Sequence, residues 1–126
     1  MVLFAKVSLA QGETASIQNR SDVFTLVEEM PEFPGGNKQL QKYLIKQLLY
    51  PVSAKETKTE GICYVQVIID SIGEVKKTEL IKGIENCSEC DREAIRVIRS
   101  MPRWKPGKIE GKKVNCYFTI PVKFKL

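Results

Sequence analysis

The chain has 126 residues, 43% apolar and 28% charged, with a formal net charge of +5 and no histidine. That length allows one domain with one core, and no stretch reaches the ~20 apolar residues of a membrane helix. Lacking histidine, the chain is without the commonest general base, any Ser-His or Cys-His nucleophile pair, and the histidine ligands of most catalytic zinc sites.

Residues 1–22 stand outside any periodic pattern. Ser8-Leu9-Ala10 ahead of Gln11 reads as the tail of a secretory signal cleaved after Ala10. Lys6 interrupts its apolar stretch and no basic region precedes it, and the alternative is a disordered tail. The domain is expected to span residues 23–126. Val23 to Val27 is a short β-prone run, and Met30 to Gly36, MPEFPGG, is a turn-rich loop. Asn37 is placed to cap a helix over 38–49, whose Leu40, Tyr43, Leu44 and Leu48 recur at helical spacing. Tyr50-Pro51 ends it, because the residue before proline is pushed out of the helical region. Residues 52–60 are polar and read as a loop.

From Gly61 the period becomes two. Cys63, Val65, Val67 and Ile69 share one face of a strand, and Tyr64, Gln66, Ile68 and Asp70 the other. The turn Asp70-Ser71-Ile72-Gly73 leads to a second strand over about 74–81, so the two form a hairpin. Lys76, Lys77 and Glu79 guard that strand against stray pairing. Ser88 with Asp91 opens a second helix in the manner of a capping box. Its stripe is Ala94, Ile95, Ile98 and Met101, and Pro102 stops it. Trp104, between Pro102 and Pro106, is expected to pack a turn onto the core. The acidic groups Glu28-Glu29 and Glu89-Asp91-Glu93 bring no partner for acid–base chemistry, and the second suits a helix N-terminus.

The last segment is the clearest strand. Val114, Cys116, Phe118, Ile120, Val122 and Phe124 alternate with Asn115, Tyr117, Thr119, Pro121, Lys123 and Lys125. The order helix, strand, strand, helix, strand gives an α+β fold: a three-stranded antiparallel sheet, ordered second–first–third, with two helices packed on one face. Pro121 cannot donate to a ladder and marks the last strand as an edge. A long edge is a template for another extended chain, so the chain reads as a non-enzymatic binding module that works by strand addition.

The stretches MPEFPGG, Leu49-Tyr50-Pro51, EGICYVQVIIDSIGEV, REAIRVIRSMPRWKPGK and FTIPVKFKL, in that order, resemble the TonB C-terminal domain, most closely the form in Bacteroidetes-type energy transducers. The resemblance covers about residues 23–126. It implies a periplasmic location in the cell envelope and a partner, the Ton-box segment of outer-membrane TonB-dependent transporters, that pairs with the last strand in energy-coupled transport. Asn115, Tyr117, Thr119, Lys123 and Lys125 are expected to line the strand contact, and by family analogy Tyr50 and Pro51 help hold the transporter. Energy transducers also carry an N-terminal membrane helix and a proline-rich spacer that these residues do not include. A soluble envelope interaction domain without energy coupling is therefore the alternative. The exposed last strand also offers a homodimer contact.

Other readings stand beside this one. Arg103, Lys105, Lys108, Lys112, Lys113, Lys123 and Lys125 face only Glu110, a basic patch for an acidic partner or a solvated loop. A nucleic-acid role would need several outward aromatics, whereas Phe118 and Phe124 fall on the core face and leave Tyr117 outside, so no nucleic acid is expected. In an oxidising periplasm Cys87–Cys90 and Cys63–Cys116 are possible disulfides. A four-cysteine zinc site, a redox Cys90 and plain buried thiols are the other options. Neither metal nor cofactor enters the favoured reading.

Overall fold

The structure, a computed structural model, describes residues 22–126; the signal or tail expected in residues 1–22 lies almost wholly outside them. The elements run β1 Val23–Phe24, α1 Asn37–Gln47, α2 Val52–Glu56, β2 Gly61–Ile69, β3 Val75–Lys82, α3 Ser88–Arg99, β4 Gly107–Ile109 and β5 Lys112–Phe124. The sheet order is β1–β5–β2–β3, with β4 paired to β5. The expected trio is present as β3–β2–β5, antiparallel throughout. Two short strands enlarge it, and one of them, β1, pairs parallel to β5 at Val23↔Asn115 and Phe24↔Cys116.

The period-two residues of β2 make the floor of the core: Cys63, Val65, Val67 and Ile69 are fully buried, as are Ile120 and Val122 of β5. Leu40 and Leu44 of α1 join the same core. In α3 the buried residues are Cys90, Ala94, Val97 and Ile98. The stripe is thus turned toward Val97, leaving Ile95 and Met101 half-buried at its margin.

Local corrections are physical in origin. Helix α1 begins at Asn37 itself, with Gly36 at the cap position and no side-chain cap. It is already extended at Leu48, before the proline. The polar stretch after Pro51 is not all loop: α2 is one turn, started by the bond from Lys55 N–H to Pro51 O at 3.0 Å. The cap of α3 is Cys87, whose Sγ accepts from Cys90 N–H at 3.1 Å, and not Ser88. Asp91 turns away to accept from Ile84 N–H at 3.0 Å and from the Cys63 thiol at 3.4 Å.

The β2–β3 turn is fixed from two sides. Asp70 Oδ1 accepts from Ile72 N–H at 3.1 Å and Glu74 N–H at 2.8 Å. Gly73 has φ +90°, and its carbonyl accepts from Trp104 N–H at 2.7 Å. Trp104 is buried and meets Phe33 and Phe118 edge-on, at 5.6 and 5.3 Å between ring centroids. The aromatic turn therefore clamps the hairpin to the loop ahead of α1.

Candidate strand-addition edge

The two long edges of the sheet differ. On β3 the register with β2 shifts twice, between Tyr64 and Val65 and between Gln66 and Ile68, and Lys77 sits at φ +41°. Bulges and the charges of Lys76, Lys77, Glu79 and Lys82 make this edge a poor template.

Strand β5 is different. Its ladder with β2 runs from Gly61↔Phe124 to Ile69↔Cys116 without a shift and passes through Tyr64↔Pro121. Proline has no N–H to give. An unbroken ladder therefore leaves Pro121 at a non-hydrogen-bonded pair, its nitrogen on the outer side. Alternation turns the main-chain N–H groups of Tyr117, Thr119 and Lys123 outward too. On that outer side β1 covers Asn115–Cys116, while β4 pairs with 112–114 ahead of the β2 ladder. From Tyr117 to Phe124 no described strand pairs with it. The final strand is thus an edge over this stretch only, and not along its whole length as Pro121 alone suggested.

Each expected contact residue can now be placed. Thr119 and Lys123 are exposed and Tyr117 half-buried, all on the open stretch. Asn115 is not on it. Its Oδ1 accepts from Ser71 N–H at 2.9 Å, its Nδ2 donates to Asp22 O at 3.2 Å, and its backbone faces β1; it ties the start of the domain to the hairpin turn. Tyr50 is an anchor: its hydroxyl donates to Thr59 O, and its ring meets Phe124 edge-on at 5.6 Å. Burial, then the nearby Glu60 charge, raise its pKa. The backbone before it is pinned to α3, because Glu93 accepts from Leu49 N–H at 2.7 Å and pairs with Arg96, which reaches Gln47 O at 3.1 Å. Burial alone would raise the Glu93 pKa; the bonds from Arg96 and Leu49 outweigh it and hold it low. Pro51 lies on the α3 side of Tyr50, with Leu49, Arg92 and Arg96.

Tyr50, Lys123 and Lys125 come together in a groove of about 480 Å³ between α1 and the end of β5, with Gln41, Leu44, Ile45 and Leu48 on the helix side. Sequence reasoning missed this helix contribution. Its signal was Ile45, an apolar residue off the Leu40–Leu44–Leu48 stripe, and it is 79% exposed.

The basic loop is less open to a phosphate backbone than its composition suggests. Glu32 and Lys105 exchange backbone hydrogen bonds at 2.9 and 2.8 Å, Lys108 N–H donates to Glu29 O at 2.9 Å, and Glu28 accepts from Glu110 N–H at 2.8 Å. Three acidic residues thereby run beside the basic loop, which offsets its charge.

Cys87 and Cys90 are bonded, S–S 2.15 Å, while Cys63 and Cys116 are buried free thiols. The Cys63–Cys116 pairing does not form. Cys63 stands opposite Val122 and Cys116 opposite Ile69, and that offset along the strands is roughly 20 Å, far beyond disulfide reach. Among the described residues no group of His, Cys, Asp or Glu could hold a metal ion, and no helix is long and apolar enough to cross a membrane. Burial, then the Asp91 hydrogen bond and charge, push the Cys63 thiol up to about 12; burial pushes Cys116 up to about 11. Raised thiol pKa values favour the protonated fold. Their contribution is whole below the unfolded value near 9 and is lost as pH rises through the folded values of about 12 and about 11. Melting temperature is accordingly expected to fall between pH 9 and 11 more steeply in the wild type than in Cys63→Ala; equal slopes would remove Cys63 from this account.

Comparison with known proteins supplies the family. The C-terminal region of Gram-negative bacterial TonB protein matches residues 46–126. The chain belongs to this family. No curated protein matches it. Among solved structures, the solution structure of the Helicobacter pylori TonB C-terminal domain aligns with a TM-score of 0.53 at 20% identity, covering 70% of this chain and 90% of that one. At that identity the likeness shows the fold, and it is the TonB C-terminal fold. Membership makes this a transport and interaction domain of the cell envelope, in a family that is not catalytic and whose partners are TonB-dependent transporters.

Proposed function

We propose that this TonB C-terminal domain binds the Ton-box segment of an outer-membrane TonB-dependent transporter in the periplasm, adding it as a strand along Tyr117–Phe124 of β5, and so serves energy-coupled transport. The observation that carries the reading is the unpaired outer side of β5 beside a second edge that is bulged and charged. Main-chain hydrogen bonds of the added strand supply affinity, and neighbouring side chains supply choice. A second copy of the domain would compete for the same stretch, so a dimer through β5 and a bound transporter exclude each other.

The reading is tested with N-methylated peptides. Successive N–H groups of an extended peptide point to opposite edges. A Ton-box peptide methylated at one set of alternate nitrogens should lose binding, and one methylated at the other set should keep it. Equal affinity of both methylated forms would contradict strand addition.

A further inference from the structure

An added strand on β5 would not stand in open solvent. The groove that begins beside its end is walled by the C-terminal half of α1. There Ile45 is 79% exposed, and Leu48 and Tyr50 are only half-covered. None of the described elements packs onto Ile45, and the core does not account for an isoleucine in that position. On the other wall stand Lys123 and Lys125, both exposed and without an ion pair among the described residues. The groove is therefore apolar on one side and cationic on the other, and it continues the unpaired stretch of β5.

An extended peptide sends alternate side chains to opposite faces, with same-face neighbours roughly 7 Å apart. Seated against β5, one set would turn toward α1 and the other away from it. We infer that this groove selects the added strand by pattern: an apolar side chain toward Ile45 and Leu48, and a carboxylate at the end that meets Lys123 and Lys125. The inference rests on strand addition at β5 and adds the chemistry of the partner segment to it.

Synthetic peptides of alternating valine and serine, carrying either Glu or Lys at the end that reaches Lys123, separate the two ideas. The wild-type domain should bind the Glu peptide about fivefold more tightly, the scale of one or two exposed ion pairs. The double variant Lys123→Glu/Lys125→Glu should reverse that preference. Exchanging Ile45 for glutamine should weaken the valine peptide about threefold to tenfold and leave an all-serine peptide nearly unchanged. Ile45 is solvent-facing, so these variants should keep the wild-type melting temperature. Equal binding of Glu and Lys peptides, with amide shifts still on β5, would overturn the selection by charge and leave strand addition standing. Insensitivity of the valine peptide to Ile45→Gln would likewise overturn the apolar wall. Absence of binding by every peptide would overturn both the selection and the strand addition beneath it.

Discussion

Gly73→Ala should destabilise the domain by about 3 kcal/mol or more, a loss large among single substitutions. Two costs coincide at this residue. The backbone sits at φ +90°, where a Cβ adds strain of about 1–2 kcal/mol. That Cβ would also lie 1.9 Å from the Trp104 carbonyl oxygen, so the aromatic turn must move. Moving it strains the Trp104 N–H to Gly73 O bond and the packing of Trp104 on Phe33 and Phe118. For a domain of this size the melting temperature should fall by more than ~10 °C. Gly111→Ala is the internal control. Gly111 has φ +75° but nothing within 4 Å of an added Cβ, so only the backbone cost of about 1 kcal/mol applies. Equal losses at Gly73 and Gly111 would show that Trp104 does not clamp the hairpin.

Thr119→Pro should lower affinity for a Ton-box peptide at least tenfold, about 1.4 kcal/mol, with a modest change in melting temperature. Thr119 lies in the middle of the open stretch, opposite Gln66. Its N–H faces outward by the same alternation that accommodates Pro121. Proline there deletes a donor the partner strand would use and places a ring in its path, while the ladder to β2 loses no bond. Thr119→Val keeps the N–H and should bind as the wild type does. If Thr119→Pro binds normally, the partner does not add at β5; if it unfolds the domain, the outward assignment of that N–H is wrong.

The long elements were legible because each carries its own period. Cys63 to Ile69 and Val114 to Phe124 alternate strictly, and Ala94 with Ile98 marks a helix. The short ones were less legible. Strand β1 falls in the β-prone run Val23 to Val27, but its parallel pairing with β5 could not be read from that run, and β4 is held by backbone bonds to β5 and carries no pattern of its own. Helix α2 is a single turn in a polar stretch, defined by Pro51 and not by an apolar stripe. Face and register are also separate pieces of information. Period two put Cys63 and Cys116 on the core face correctly, yet it says nothing of how far the strands are offset, and the offset is what keeps the two thiols apart. For the candidate site, Pro121 marked β5 as an edge strand but not the extent of its open side, since β1 returns from distant sequence to cover Asn115. The apolar wall of the groove was hidden because Ile45 reads as one more apolar residue in a helix.

The most direct test is an amide titration of the isotope-labelled domain with Ton-box peptides from transporters of the same cell. Strand addition on β5 predicts saturable shifts that alternate along the strand, large at Tyr117, Thr119 and Lys123 and smaller at Phe118, Ile120 and Val122, with further shifts at Ile45 and Leu48. No shift at millimolar peptide, or shifts gathered on β3, would contradict it.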